Sequence, residues 1–223
     1  MPYSNNPPLI ETSKISVDRD DPATINPGLD ISLRLLPLDL DGVFGNGNDC
    51  LLEIGFGDGD FLIENALKNP GRNYLGIEIK KTRFNKAVRK SNRAKAGNVK
   101  FIHMDAEIAA EEIFHPDSFS TVYINFPDPW PKDRHRKHRV INRGFLKKLS
   151  RIMKSGASLE IASDHREYVL NALETMKKID SFECVYPAPG YVLHVPGRAE
   201  TRYEREFRAE GREIYYLRYK NIK

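Results

Sequence analysis

Apolar and polar positions follow two alternating patterns along most of this chain. Short apolar runs indicate seven β-strands, at 50–54, 73–79, 99–104, 119–125, 157–162, 182–186 and 213–219. Between them, segments with helical spacing of apolar residues lie at 60–69, 81–96, 106–114, 142–154, 166–179 and 201–209. Strands that alternate with helices usually form a parallel sheet with helices on both faces. The pattern therefore predicts an α/β fold with a mostly parallel seven-stranded sheet.

The first part of the chain lacks this alternation. Residues 1–43 carry several prolines and many Asp and Asn, with little sustained periodicity. We expect an irregular N-terminal arm over 1–43 that leans on the rest of the protein with its apolar end. The remaining residues, 44–223, have the length of one sizeable α/β domain.

Composition adds the distribution of charge to this picture. The net charge of +4 is too small to imply nucleic acid by itself, but the charge is uneven. Nine Lys or Arg and no acid lie between Ile79 and Met104, and nine lie between Lys132 and Arg151 against one acid. Cys50 and Cys184 sit in apolar runs, which favours reduced, buried thiols. With no apolar stretch of membrane-spanning length, we expect a soluble, cytoplasmic protein that does not bind membranes.

A glycine-rich turn follows the first predicted strand, in the sequence Glu53–Gly59. Glu78 and Asp105 end the next two strands, where acids can accept hydrogen bonds from the ribose hydroxyls and the adenine amine of a nucleoside. Glu53 and Asp58 would repel a pyrophosphate but suit a sulfonium and an ammonium group. The set favours S-adenosylmethionine over a dinucleotide. The alternatives are a surface turn with an acid pair, and helix capping by Asp105, which is compatible with adenine binding.

A second unusual stretch, Asn125–Pro131, follows the fourth strand and precedes the basic run 132–139. Prolines restrict the preceding residues, so Phe126 and Asp128 are expected to be extended. Asp128 is the candidate catalytic carboxylate, although a Pro-rich turn without function fits the same letters. Trp130 could stack on a base or pack in the core, and packing is slightly favoured. Since no further ligands accompany the histidines of the basic run, we expect no metal.

The sequence Asn-Phe-Pro-Asp-Pro-Trp-Pro-Lys at 125–132, followed by Arg134-His135, Ser163-Asp164 and the Thr-Arg-Tyr-Glu of 201–204, resembles the bacterial tRNA (guanine-N7-)-methyltransferase family. The resemblance runs from Phe44 to Tyr219. It implies a Rossmann-like methyltransferase fold and transfer of a methyl group from S-adenosylmethionine to N7 of the guanosine at position 46, in the variable loop of tRNA. His138 departs from the family, which has Arg there, and Ser163 stands where Thr is usual.

The resemblance also implies roles for individual residues. Asp128 would be catalytic, and the methyl donor would be bound by Glu53, Gly55, Glu78, Asp105 and Asp128. The substrate would be bound by Lys132, Asp164, Thr201, Arg202, Tyr203 and Glu204. Contacts with the RNA would come from Arg134, His135, Arg136, Lys137, His138 and Arg139. The expected partner is tRNA and not DNA, and the protein is expected to be a monomer or a homodimer.

Two other functions remain open at this point. The loop at 125–131 partly matches the Asn-Pro-Pro-aromatic loop of methyltransferases that modify amino groups of adenine or glutamine, although the inserted Asp128 argues against that reading. A non-catalytic RNA-binding module on a methyltransferase scaffold is the other alternative. It is disfavoured because Glu53, Gly55, Glu78 and Asp105 are all present.

Overall fold

A computed structural model describes residues 27–31, 36–130 and 139–223. Its helices and strands alternate along the chain, as the apolar pattern predicts. In chain order they are α1 (Leu40–Phe44), β1 (Cys50–Ile54), α2 (Asp60–Lys68), β2 (Asn73–Glu78), α3 (Lys81–Ala94), β3 (Val99–His103), α4 (Ala106–Glu112), β4 (Phe119–Asn125), α5 (Arg143–Ile152), β5 (Met153–Ser163), α6 (Arg166–Met176), β6 (Phe182–Cys184), α7 (Arg202–Ala209) and β7 (Tyr215–Asn221).

The strands form one sheet of seven in the order β3-β2-β1-β4-β5-β7-β6. Strands β1 to β5 pair in parallel, and β7 is antiparallel to both β5 and β6. The predicted mostly parallel seven-stranded sheet is therefore confirmed. The strand order reverses between β1 and β4, and in such sheets ligands bind beyond the carboxyl ends of the strands at this point.

Helices cover both faces of the sheet, so consecutive strand residues are buried on opposite sides. Leu51 is 1% exposed and packs with Phe84 of α3, whereas Leu52 is 0% exposed and packs with the cluster that includes Phe145 of α5. Successive side chains of a strand point to opposite faces, which explains why β1 is apolar throughout except at Glu53. Side chains packed on both faces bury the central strands.

Several element boundaries differ from the prediction. Strand β5 begins at Met153 and not at 157, because Met153 already pairs with Phe119 before a register shift in the ladder. Helix α1 was not predicted, and it is short enough to leave no clear periodicity. Asp39 caps it by accepting a hydrogen bond from the Asp41 amide at 3.1 Å. Cys184 is exposed, which corrects the expectation of two buried thiols, because the short strand β6 lies at the edge of the sheet.

Part of the predicted arm contacts the domain. The backbone of residues 27–29 lies beside β3, where the Leu29 amide donates to the Phe101 carbonyl at 2.8 Å and the Phe101 amide donates to the Pro27 carbonyl at 2.7 Å. Further along, the Leu38 amide donates to the Ile113 carbonyl at 2.7 Å, and Leu38 is buried. Most of the predicted arm, residues 1–26 and 32–35, lies outside the described residues. The boundary between an arm over 1–43 and a domain over 44–223 therefore stays a prediction.

Candidate active site

A cleft of about 830 Å³ opens at the carboxyl ends of β1, β2, β3 and β4. The parallel order of these strands brings together loops that are far apart in the sequence. The lining includes most of the predicted site residues within the described parts of the chain: Glu53, Gly55, Glu78, Asp105, Asp128, Asp164, Thr201, Arg202 and Tyr203. Of the described predicted residues, Glu204 does not line the cleft, and Arg139 lines it with a largely buried side chain.

The glycine-rich turn shapes one wall of the cleft. The Gly57 amide donates to Glu78 Oε2 at 3.1 Å, which ties the turn to the end of β2. Gly59 precedes helix α2 with φ of 81°, a left-handed conformation that favours glycine. A Cβ atom at Gly59 would lie 2.7 Å from the Ala87 Cβ of α3. The glycine therefore allows α2 and α3 to pack closely under the turn.

Glu53 lies at the floor of the cleft and is 2% exposed. Its Oε1 accepts a hydrogen bond from Asn125 Nδ2 at 2.7 Å, whereas Oε2 is buried and has no hydrogen-bond partner among the described residues. Burial raises the pKa of the Glu53 carboxyl to about 7, while the Asn125 hydrogen bond and the Arg198 charge act in the opposite direction. An unpartnered buried carboxylate oxygen is costly, and a cationic ligand would remove that cost. This oxygen fits the ammonium group of S-adenosylmethionine.

Glu78 ends β2, and Asp105 follows β3 along the same wall. The two oxygens of Glu78 accept from the Gly57 amide at 3.1 Å and the Lys80 amide at 2.9 Å, so the carboxylate is held in one orientation. Asp105 caps α4, and its Oδ1 accepts from the amides of Glu107 at 2.8 Å and Ile108 at 3.1 Å. Both capping bonds end on Oδ1, so Oδ2 retains its capacity to accept a bond from a ligand.

The loop after β4 has a less common backbone than expected. Phe126 precedes a proline but has φ of 48°, which corrects the expectation of an extended residue, and Trp130 has φ of 41°. Left-handed conformations cost non-glycine residues about 1 kcal/mol or more and persist where surrounding contacts hold them. Here the Phe126 amide donates to the Ala162 carbonyl at 2.8 Å and the ring packs edge-on against Phe207 at 5.6 Å. The loop presents the exposed side chain of Asp128 on the cleft.

Arg139 supports this loop from beneath. Its Nε donates to the Pro129 carbonyl at 2.9 Å and its Nη2 donates to the Trp130 carbonyl at 3.2 Å. The guanidinium lies over the Tyr168 ring at 5.5 Å, and the residue is 2% exposed. The described contacts of this guanidinium lie within the protein, and the contact of Arg139 with RNA stays a prediction. The other predicted RNA contacts and Lys132 lie outside the described residues: Arg134, His135, Arg136, Lys137 and His138.

The segment 201–204 lines the cleft beside the glycine-rich turn, where Arg202 Nη1 lies 3.7 Å from Asp58 Oδ2. Thr201 caps α7 by accepting from the Glu204 amide at 2.9 Å, and Tyr203 lies under the Arg83 guanidinium at 5.6 Å. Glu204 instead points inward and is 2% exposed. It accepts hydrogen bonds from Arg198 at 2.9 Å and from the Tyr216 hydroxyl. The described partners of this carboxylate are inside the protein, and a role of Glu204 in substrate binding stays a prediction.

Arg198 is the residue of this site that the sequence pattern did not reveal. It donates to Glu204 and also to Asn125 Oδ1, and its side chain is 8% exposed. Arg198 belongs to an irregular segment between β6 and α7, and a single Arg among several nearby charges carries no recognisable spacing. Only the fold brings it beside Asn125, which is 73 residues away in sequence.

Some of the basic side chains of helix α3 form ion pairs with acids of the same protein. Lys86 pairs with Asp58 at 3.2 Å and Lys90 pairs with Asp60 at 2.7 Å, so two of its cations are matched by acids of the glycine-rich turn and of α2. Lys81, Arg89 and Arg93 are exposed. Within the described ranges, no group of three or more His, Cys, Asp or Glu side chains could hold a metal ion, and no helix is long and apolar enough to cross a membrane.

Solved structures with the same architecture place this cleft in a known class. The antibiotic-resistance methyltransferase Kmr superposes with a TM-score of 0.59 at 18% identity, covering 86% of this chain and 95% of that one. A mutant 16S rRNA (adenine(1408)-N(1))-methyltransferase from Catenulisporales acidiphilia, solved with S-adenosylmethionine, superposes with a TM-score of 0.55 at 17% identity, covering 85% and 94%. The fold is that of a Rossmann-like S-adenosylmethionine-dependent methyltransferase.

Sequence relatives narrow the class to a family. A family model described as "Putative methyltransferase" matches residues 48–217. The tRNA (guanine-N(7)-)-methyltransferase of Bacillus subtilis is 36% identical over 173 residues, covering 78% of this chain and 81% of the relative. That of Syntrophotalea carbinolica is 36% identical and covers 82% and 79%. That of Thermotoga maritima is 34% identical over 84% of this chain, which spans 58% of that longer relative. The chain belongs to the tRNA (guanine-N(7)-)-methyltransferase family, which confirms the resemblance.

Proposed function

We propose that this protein transfers the methyl group of S-adenosylmethionine to N7 of a guanosine in tRNA, at position 46 of the variable loop. The observation that carries the proposal is the buried Glu53 carboxylate, whose Oε2 has no hydrogen-bond partner in the described part of the chain, in one cleft with Glu78, Asp105 and Asp128. The named activity of the relatives in the same family supports the choice of atom and substrate.

Three carboxylates would hold the methyl donor. Glu53 Oε2 would accept a hydrogen bond from the donor's ammonium group, Glu78 would accept from the ribose hydroxyls, and Asp105 Oδ2 would accept from the adenine amine. Bound S-adenosylmethionine supplies an electrophilic methyl group whose C–S bond breaks as the C–N7 bond forms. The negative charges along this wall suit a cationic ligand and disfavour a phosphorylated one.

Guanine N7 carries a free lone pair, so no side chain has to remove a proton before attack. Asp128 would therefore act by position and charge: it accepts hydrogen bonds from the guanine edge and favours the positive charge that arrives on the base. Asp164 would bind a neighbouring donor of the substrate with Oδ1, because Arg212 Nη1 holds Oδ2 at 2.6 Å. The 36% exposure of Trp130 supports stacking on a base in preference to core packing.

The tRNA would approach across the rim that carries Tyr203 and the exposed face of α3. Exposed cations at Lys81, Arg89 and Arg93 would neutralise backbone phosphates together with the basic run 132–138. A cytoplasmic protein acting as a monomer or homodimer, with no metal, is part of the same proposal. We also propose that the protein acts on neither DNA nor a membrane.

The test is methyl transfer from labelled S-adenosylmethionine to unmodified tRNA, followed by nuclease digestion and identification of the nucleoside. We expect 7-methylguanosine in wild-type transcripts. The matched control is the same tRNA with 7-deazaguanosine at the target position, which replaces only N7 by carbon and should accept no methyl group. Methyl incorporation into the control, or a product other than 7-methylguanosine, would contradict the proposal.

A further inference from the structure

Asn125 sits between a carboxylate and a guanidinium, and this arrangement decides the orientation of its amide. Asn125 Nδ2 donates to Glu53 Oε1 at 2.7 Å, and Asn125 Oδ1 accepts from Arg198 Nη2. A guanidinium has donors and no acceptor, and an ionised carboxylate has acceptors and no donor. A flipped amide would therefore place two acceptors together on one side and two donors together on the other.

Arg198 is itself held from four directions. Its Nη1 donates to Glu204 Oε2 at 2.9 Å while Nη2 donates to Asn125. The guanidinium lies 5.0 Å from the ring centre of Phe61 in α2 and 5.1 Å from that of Tyr216 in β7. The planar fork uses two different nitrogens for two partners, which a lysine ammonium cannot reproduce in the same geometry.

We propose that Arg198 is a positioning residue for the methyl donor: it orients the Asn125 amide, which holds Glu53 Oε1 and leaves Oε2 for the ammonium group of the cofactor. The chain of contacts runs from Glu204 through Arg198 and Asn125 to Glu53. It joins the segment at the start of α7 to the floor of the cleft. The inference rests on the proposed function only for the identity of the cofactor.

The charges around Glu53 are consistent with this arrangement. Glu78 of β2 and Asp60 of α2 act with burial to favour the protonated carboxyl, whereas Asn125 of β4 and the charge of Arg198 favour the ionised form. Arg198 is the cation that acts on Glu53 from the described parts of the chain. Removing it would leave Glu53 with two acidic neighbours, and Asn125 Oδ1 would lose the donor that fixes the orientation of the amide.

The test compares two ligands by calorimetry. S-adenosylhomocysteine carries the amino-acid group that Glu53 would bind, whereas 5′-methylthioadenosine has the same nucleoside without it. For Arg198→Lys we expect about tenfold weaker binding of S-adenosylhomocysteine, the effect of one hydrogen bond to a charged group. Binding of 5′-methylthioadenosine should be unchanged, and it also reports that the cleft is folded. The matched control is Arg218→Lys, which alters an Arg–Glu pair at 2.7 Å outside the cleft.

A second measurement separates the relay from a local effect of Arg198. In an Asn125→Ala background the relay is already broken, so adding Arg198→Lys should change the affinity for S-adenosylhomocysteine by about twofold or less. Equal loss of both ligands in Arg198→Lys, or full additivity with Asn125→Ala, would overturn the inference. Failure of the tRNA assay with the ligand difference intact would instead count against the proposed substrate alone.

Discussion

Replacing Glu53 with Gln is expected to stabilise the ligand-free protein and to weaken its binding of the methyl donor. The glutamine keeps an oxygen that can accept the Asn125 hydrogen bond, and it removes the charge from a residue that is 2% exposed. The same carboxylate that is costly in the empty cleft is the proposed partner of a cationic ligand. Stability and binding should therefore change in opposite directions.

The size of the effect follows from the pKa of Glu53, which burial raises from 4.5 to about 7. The folded protein binds this proton more tightly than the unfolded chain does. The resulting stability is complete below pH 4.5 and is lost as the pH rises through about 7. The loss is about 3 kcal/mol, since each tenfold change in proton affinity is worth about 1.4 kcal/mol. Glutamine escapes this loss but buries a new amide donor, so the expected gain near pH 8 is about 1 to 3 kcal/mol.

The assay is chemical denaturation of wild type and Glu53→Gln at about pH 5 and pH 8, with calorimetry of S-adenosylhomocysteine at the higher pH. The gain should appear at pH 8 and largely vanish at pH 5, and affinity should fall at least about tenfold. Glu160→Gln is the control, because Glu160 pairs with Arg218 at 2.7 Å away from the cleft and its loss should not stabilise the protein. A gain equal at both pH values, or unchanged affinity, would refute the reasoning.

Three further predictions concern other parts of the cleft. Asp128→Asn should lower the turnover of methyl transfer to tRNA by about tenfold or more, and wild-type turnover would contradict its catalytic role. Gly59→Ala should cost about 2 to 4 kcal/mol in denaturation, because φ is 81° and the new Cβ would lie 2.7 Å from Ala87 Cβ, whereas Gly71→Ala, with nothing near its Cβ, should cost far less. Binding of tRNA should weaken linearly on a log–log plot against salt, and a flat dependence would exclude an interface dominated by phosphates.

Most of the fold could be predicted from local pattern. Strand β1 and strand β4 have the predicted bounds: β1 is buried at every position, and β4 is buried or half-buried at every position. The ends of other strands and helices were less predictable. Strand β5 extends back to Met153 because pairing with Phe119 continues there, and no property of the isolated segment reveals its partner. Helix α1, with five residues, is too short for a periodic signal.

Some residues of the candidate site could be predicted from the sequence and others could not. Glu53, Glu78 and Asp105 could be chosen from sequence, since each is an acid at or beside the end of an apolar strand, and parallel strands bring those ends together. Arg139 was expected to contact RNA as part of the basic run 132–139, and Glu204 was expected to bind substrate because of the family resemblance. In the structure each is 2% exposed: Arg139 donates to two backbone carbonyls, and Glu204 accepts from the Arg198 guanidinium.

The sequence by itself determined which segments form strands, which acids lie near the ends of three of them, and the motif that identifies the family. Those features are local, and their physical causes act within a few residues. Only the tertiary structure decided that Phe126 takes a left-handed backbone, that Arg139 holds the loop after β4, and that Arg198 reaches Asn125. These depend on hydrogen bonds and burial between segments distant in the chain, and such contacts exist only after the sheet has formed.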